Sequence, residues 1–232
     1  MGKAIDKIKN IKIVKTLSNI GKIEDLRQRI LVTLMLVAVY RFGSYVVLPG
    51  IDTEALTGVQ NQTSTGLMSL LDMFSGGAFS KASIFALGIM PYISASIVMQ
   101  LLGIAVPYFQ KMQREGESGR RKMNQYTRYL TIFILLLQAP SYLLNLKWQN
   151  GGLNPMHESL DWTWFVVSST IILTAGSMFV LWLGERITDK GIGNGISLII
   201  MIGIIARFPQ AFIQEFTTRF TTPGQGGLIV FL

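Results

Sequence analysis

The sequence predicts an all-α integral membrane protein with five membrane crossings and one re-entrant half-helix. Three observations predict it. Half of the 232 residues are hydrophobic, only 15% are charged and the mean hydropathy is +0.42, a composition of membrane proteins rather than soluble domains. Uncharged stretches at residues 82–110, 129–146 and 162–184 match or approach the ~20 helical residues that cross a hydrocarbon core of about 30 Å. Basic residues crowd into every second connection, the pattern that fixes orientation in a membrane.

Residues 1–29 hold eight Lys and Arg against three acidic residues, a net of +5, which keeps this end in the cytoplasm. Ile5, Ile8, Ile11 and Leu17 alternate with Lys9, Lys12 and Lys15, as in a basic amphipathic helix lying on anionic lipid; contact with a protein partner is the alternative. No small-residue cleavage site follows, so the first span itself is expected to direct insertion. That span, residues 30–48, contains Arg41. A cation at such depth costs a few kcal/mol unless it is paired or snorkels to the surface. Snorkelling past Tyr45 and a functional role both fit.

The connection at residues 51–66 is poor in Lys and Arg and is expected outside. An apolar run of eight residues, 67–74, follows and is broken by Gly76-Gly77. Eight residues are too few to cross, and each glycine lowers helical preference by roughly 1 kcal/mol relative to Ala. Residues 66–80 are therefore expected to dip in and turn back, surrounded by protein or water. The second crossing, 82–103, carries Pro91, Ser94, Ser96 and Gln100. Such groups face other helices or a wet cavity, and spacing alone leaves both open. Ile89, Ile93 and Ser96 share one face by their 4,3 spacing.

Residues 104–127 form a cytoplasmic loop; across 111–128 six Lys and Arg oppose two Glu, a net of +4. It is basic enough to touch RNA, yet positive-inside loops are ordinary. The overall +8 is thus largely a record of orientation. The third crossing, 128–146, includes Gln138, which needs a partner inside the bundle. Trp148, Trp162 and Trp164 flank the external loop at 147–161 as an aromatic belt. The fourth crossing is 162–183. The turn at 184–194 contributes to the stretch GERITDKGIGNGIS, which follows no strand and lacks the Gly-Lys-Ser/Thr ending of a phosphate loop. It is read as a flexible turn into the fifth crossing, 195–209, and residues 227–232 as the start of a sixth.

The chain has no cysteine and one histidine, His157, so disulfides and thiolate metal sites are excluded and no metal site is expected. No nucleophile–base pair or carboxylate dyad stands out, and Asp72, Glu185 and Asp189 read as loop or interface charges. Neither an enzyme nor a cofactor is expected.

The runs RFGSYVVLPGID (41–52), MFSGGAFSKASIFALGIMPYISASIVMQLL (73–102), REGESGRRKMNQYTRY (114–129) and WLGERITDKGIGNGISLIIMIGI (182–204) closely resemble the SecY family, the channel subunits of the bacterial Sec protein translocon. The likeness runs in order from the first span to the fifth and is weak in the first twenty residues, at 60–66 and at 147–161. It implies one half of a ten-helix, inverted-repeat channel of the inner membrane, passing unfolded secretory polypeptides across and membrane proteins sideways into the bilayer. The half-helix would be the external plug, with Leu71 and Phe74 in its body and Gly76 and Gly77 at its bend. The resemblance places Ile89, Ile93 and Ile200 in the pore ring, Ser94 and Gln138 at the lateral gate, and Arg114, Arg120, Arg121 and Lys122 in contact with cytoplasmic partners. Implied partners are the SecE and SecG subunits, the SecA motor, the ribosome, signal peptides and the translocating polypeptide; anionic lipids join them from the amphipathic N-terminus. A ring of branched apolar side chains suits that role, because it disfavours water and ions yet offers no directional bond to a passing chain. Family members have ten spans, so this chain reads as an N-terminal half. Half of a secondary transporter or small-solute channel is the alternative, since broken helices and inverted repeats occur there too; beyond Arg41, the mid-membrane ligand constellation of a carrier is missing.

Overall fold

A computed structural model describes residues 23–51, 67–149 and 161–221. The amphipathic N-terminus, most of the two external loops with His157, and the start of a sixth span lie outside the described residues. Among those described are seven helices: α1 Glu24–Gly43, α2 Leu67–Phe74, α3 Met90–Ala105, α4 Pro107–Arg114, α5 Glu117–Gln149, α6 Trp162–Lys190 and α7 Gly195–Thr221. By length and apolarity α5, α6 and α7 can cross a membrane, and α3 with α4 counts as a fourth if the bent pair is one span.

Local chemistry sets the helix ends. Glu24 and Asp25 sit in the first turn of α1, where the helix dipole favours negative charge. Asp161 caps α6 by accepting from the Thr163 amide, and Asn194 Oδ1 accepts from the amides of Ile196 and Ser197 at 3.1 and 3.3 Å at the start of α7. Pro107 forces Val106 into an extended conformation, φ −108° and ψ 121°, and α3 and α4 consequently meet at 98°.

Two element boundaries differ from those expected. The second crossing was expected from residue 82, but α3 begins only at Met90, and residues 75–89 are a chain of turns. Pro91 sits in the first turn of α3, where its missing amide costs nothing. Upstream, Gly76, Gly77, Ala82 and Gly88 have φ of +66°, +88°, +47° and +52°, which no right-handed helix permits. The basic loop expected at 104–127 is in turn mostly helical, formed by α4 and the first turns of α5. The 33 residues of α5 reach about 50 Å, well beyond a ~30 Å core.

α6 is the hub, packed against α1, α5 and α7. At Gly176 the backbone carbonyl of Ile84 occupies the space a Cβ would need, the close approach that small residues allow in membranes. One buried cluster joins Leu48, Phe79, Ala82, Leu135, Tyr142, Leu143 and Leu173. A second joins Tyr40, Phe85, Ile89, Val180, Leu183, Ile187 and Ile199. The non-helical segment 75–89 lies between them and contributes to both.

Candidate functional site

The segment from Leu67 through Ile89 enters the bundle, turns, and enters again as α3. Its non-helical backbone is bonded in full view of its neighbours. The Leu48 amide donates to the Ala82 carbonyl at 2.9 Å and the Ile84 amide to the Val46 carbonyl at 2.9 Å, so the stretch after α1 forms a short antiparallel pairing with it around Val47 and Ser83. The Ser83 amide reaches the Ala78 carbonyl at 3.1 Å. These bonds leave the non-helical backbone paired within the bundle.

The turn at Gly76-Gly77 is held by side chains from three helices. From α1, the Tyr40 hydroxyl donates to the Ser75 carbonyl at 3.4 Å and Arg41 Nη1 to the Gly76 carbonyl at 3.3 Å. From α5, the Tyr142 hydroxyl donates to the Phe79 carbonyl at 2.7 Å, its ring 4.8 Å from that of Phe79. From α7, Arg207 Nη2 forms an ion pair with Asp72 Oδ2. The other oxygen of Asp72 accepts from the Ser80 amide at 2.8 Å. The Ser75 hydroxyl closes the turn, donating to the Asp72 carbonyl and accepting from the Phe79 amide, both at 3.0 Å. Gly76 fits for two reasons: its φ is left-handed, and a Cβ would lie 2.8 Å from Arg41 Nη1 and 3.0 Å from Gly203 Cα.

Two readings from sequence are thereby corrected or settled. Asp72 is a buried carboxylate, 2% exposed, that pairs with Arg207 of α7, an interface charge between two elements rather than a loop charge. Arg41 bonds to Gly76 while its guanidinium lies 5.7 Å over the Tyr45 ring, so it does not simply reach outward.

The remaining expected site residues fall into separate groups. Leu71, Phe74, Ile89, Gln138 and Ile200 line one cleft together with Tyr40. Ile89 is buried, and Ile93 and Ile200 pack against its cluster. Ser94 is not on that cleft; it is exposed, and its hydroxyl donates to the Met90 carbonyl of its own helix at 3.2 Å. Gln138 also borders a second cleft with Leu71, Leu87, Tyr142 and Asn145. Arg114, Arg120, Arg121 and Lys122 are exposed around the α4–α5 corner. Arg121 pairs with Glu117 at 2.8 Å, Lys122 with Glu115 at 3.8 Å, and Arg120 borders a polar pocket with Gln113 and Asn124. Arg128 reaches across to Glu185 on α6, with Nη2 at 2.7 Å from both carboxylate oxygens, so Glu185 ties two helices together.

Sequence reasoning missed the anchors: Tyr40, Tyr142, and Asp72 with Arg207. The signal for the last pair was present, an acid inside an apolar octet and a base inside an apolar helix, each an outlier in its surroundings. Among the described residues no cluster of three or more His, Asp or Glu could hold a metal.

The chain whose turn-rich segment is pinned in this helical bundle has relatives. The SecY family model matches residues 83–232. The protein translocase subunit SecY of Buchnera aphidicola subsp. Schizaphis graminum is 44% identical over 223 residues, covering 96% of this chain and 49% of that protein. SecY of Pseudomonas aeruginosa is 44% identical over 203 residues, covering 88% and 44%. Sec61 in the canine ribosome-channel complex from the endoplasmic reticulum shares the fold with a TM-score of 0.52 at 17% identity, over 87% of this chain and 43% of that one. The chain spans about half the length of the relatives it matches. With a family model over residues 83–232 and a shared helical architecture, this multi-pass helical membrane chain belongs to the SecY family.

Proposed function

We propose that the chain is the N-terminal half of the pore-forming subunit of a protein-conducting channel in the bacterial inner membrane. It acts without catalysis, passing unfolded polypeptides across and releasing membrane proteins sideways. α1, the α2–α3 unit, α5, α6 and α7 supply five crossings with the N-terminus in the cytoplasm, and residues 66–80 form the external plug. Ile89, Ile93 and Ile200 form this half's share of the pore ring. Gln138, with Ser94 on α3, contributes to the gate through which a signal peptide leaves; Ser94 reaches that seam only when the helices part. Arg114, Arg120, Arg121 and Lys122 face the motor, by family SecA, and the ribosome, while SecE and SecG complete the complex.

The observation that carries this reading is the segment 67–89. Its turn after α2 is largely buried and pinned by side-chain bonds, and it seats Leu71 and Phe74 on the same cleft as Ile89 and Ile200. A carrier would place charged or coordinating groups around such a cleft; apart from the polar tips of Tyr40, Ser75 and Gln138 its side chains are apolar. Family membership supplies the class of function, and the apolar lining fits a seal against ions that does not grip a moving chain.

Photocrosslinkers placed at Ile93 and Ile200 of the complete complex, with Ile171 on the exposed face of α6 as control, test it. A secretory polypeptide stalled in transit is expected to crosslink at Ile93 and Ile200 and not at Ile171. Capture at none of the three, in a complex that still secretes, overturns the reading.

A further inference from the structure

α7 carries Ile200, Gly203 and Arg207 at spacings of three and four residues, which puts all three on one face. Each meets a different part of the re-entrant segment. Ile200 borders the cleft with Phe74 and Ile89. Gly203 lies against the backbone where α2 ends, and a Cβ there would sit 2.8 Å from the Phe74 carbonyl oxygen. Arg207 pairs with Asp72 and also packs beneath the turn, with Nε 3.4 Å from where a Gly77 Cβ would stand.

We propose that the Asp72–Arg207 ion pair is the latch that holds segment 67–80 in its closed position, and that displacement of α7 is what releases it. The inference rests on the reading of residues 66–80 as a plug. The asymmetry of the pair supports a latch. The Asp72 side chain is 3% exposed and that of Arg207 is 37% exposed, so the carboxylate depends on a cation that lies nearer to water. A buried charge that loses its partner is strongly unfavourable where it sits, and Asp72 reaches solvent only if segment 67–80 leaves its seat. Because Ile200 and Arg207 belong to one rigid helix, a shift that widens the cleft also pulls the cation from the carboxylate. Ring and latch therefore open together. The hydrogen bonds from Tyr40, Arg41 and Tyr142 go to backbone carbonyls and involve no second charge; they orient the segment without coupling it to α7.

The test uses the complete complex in a cysteine-free background, with Ser80→Cys as reporter. Ser80 is 4% exposed, so an impermeant thiol reagent added outside reaches it only when the segment is released. Arg207→Gln is expected to raise labelling about tenfold in the resting complex, the direction expected for an orphaned buried carboxylate. Asp72→Asn/Arg207→Gln is expected to label less than Arg207→Gln alone, since the orphaned charge has been removed and the amide oxygen still accepts from the Ser80 amide. Gly203→Ala, which crowds the Phe74 carbonyl without touching a charge, is expected to raise labelling as well. Substituting Ser for Ile89 and Ile200 gives the separating arm: it is expected to raise ion conductance with little change in Ser80→Cys labelling. Parental labelling in Arg207→Gln overturns the latch, whatever Gly203→Ala does, and leaves the pore reading standing if the Ser variant leaks. Labelling as high in the double variant as in Arg207→Gln shows that no charge pair is involved and overturns it too. Raised labelling in Arg207→Gln with an ion-tight Ser variant keeps the latch and removes the ring.

Discussion

The turn-rich segment 67–89 and the α5–α6–α7 bundle lie in contact yet satisfy their backbones differently. In the bundle each helix bonds its own amides, packs through Leu173, Leu181, Leu183 and Ile199, and needs its neighbours mainly for shape. In the segment the turn after α2 bonds part of its backbone locally, as from the Ser75 amide to Leu71 and the Gly77 amide to Asp72, and takes further bonds from its own Asp72 and Ser75 and from Tyr40, Arg41 and Tyr142 on other helices. A helix keeps its own bonds when it slides. A segment held partly by side chains of other elements has a fixed seat, and it leaves that seat when those groups move. The difference is suited to a fixed frame with one movable part.

The comparison can be broken most severely in the frame. Leu173→Ala empties a fully buried position between α6 and the segment and is expected to lower stability by about 2–4 kcal/mol, read as a drop in the unfolding midpoint of the purified complex. Tyr142→Phe should act on the movable part instead. It removes the 2.7 Å donor to the buried Phe79 carbonyl, which keeps the Ala82 amide at 3.2 Å, a cost of roughly 0.5–1.5 kcal/mol, expected as faster thiol labelling of Ser80→Cys with an unfolding midpoint close to the parent. A global loss as large as that of Leu173→Ala would mean that segment and bundle are one cooperative unit. Arg128→Ala removes a half-exposed pair with Glu185, and about 1 kcal/mol or less is expected. Arg121→Ala, on an exposed helical pair, is expected to leave stability unchanged. Orientation is an independent check: a cysteine at residue 118 should react only from the cytoplasmic side, as the +4 charge of this corner implies.

Much of this contrast was legible in the sequence. Gly76-Gly77 after eight apolar residues announced a turn, and the uncharged runs announced α5, α6 and α7, because periodicity and hydropathy are local properties. The late start of α3 was not legible: Pro91 reads equally as a kink inside a helix and as its first turn, and only the pairing of residues 46–48 with 82–84 decides. Arg41 looked as ready to snorkel as to bond, since its acceptor is a backbone carbonyl 35 residues away, invisible to composition. Asp72 and Arg207 each looked anomalous alone, and 135 residues separate them in the chain. Ser94 is exposed and bonds within its own helix, a placement that depends on which neighbours α3 meets and so was not legible in the sequence.

The central claim is that an apolar ring beside a seated plug seals a polypeptide pore, and single-channel conductance of the reconstituted complex tests it most directly. With Ile89 and Ile200 replaced by Ser, or with residues 66–80 deleted, the resting complex is expected to pass ions that the parent excludes, while secretion of a model substrate falls only modestly. An ion-tight membrane after both changes, or abolished secretion in a folded Ser variant, would contradict the account.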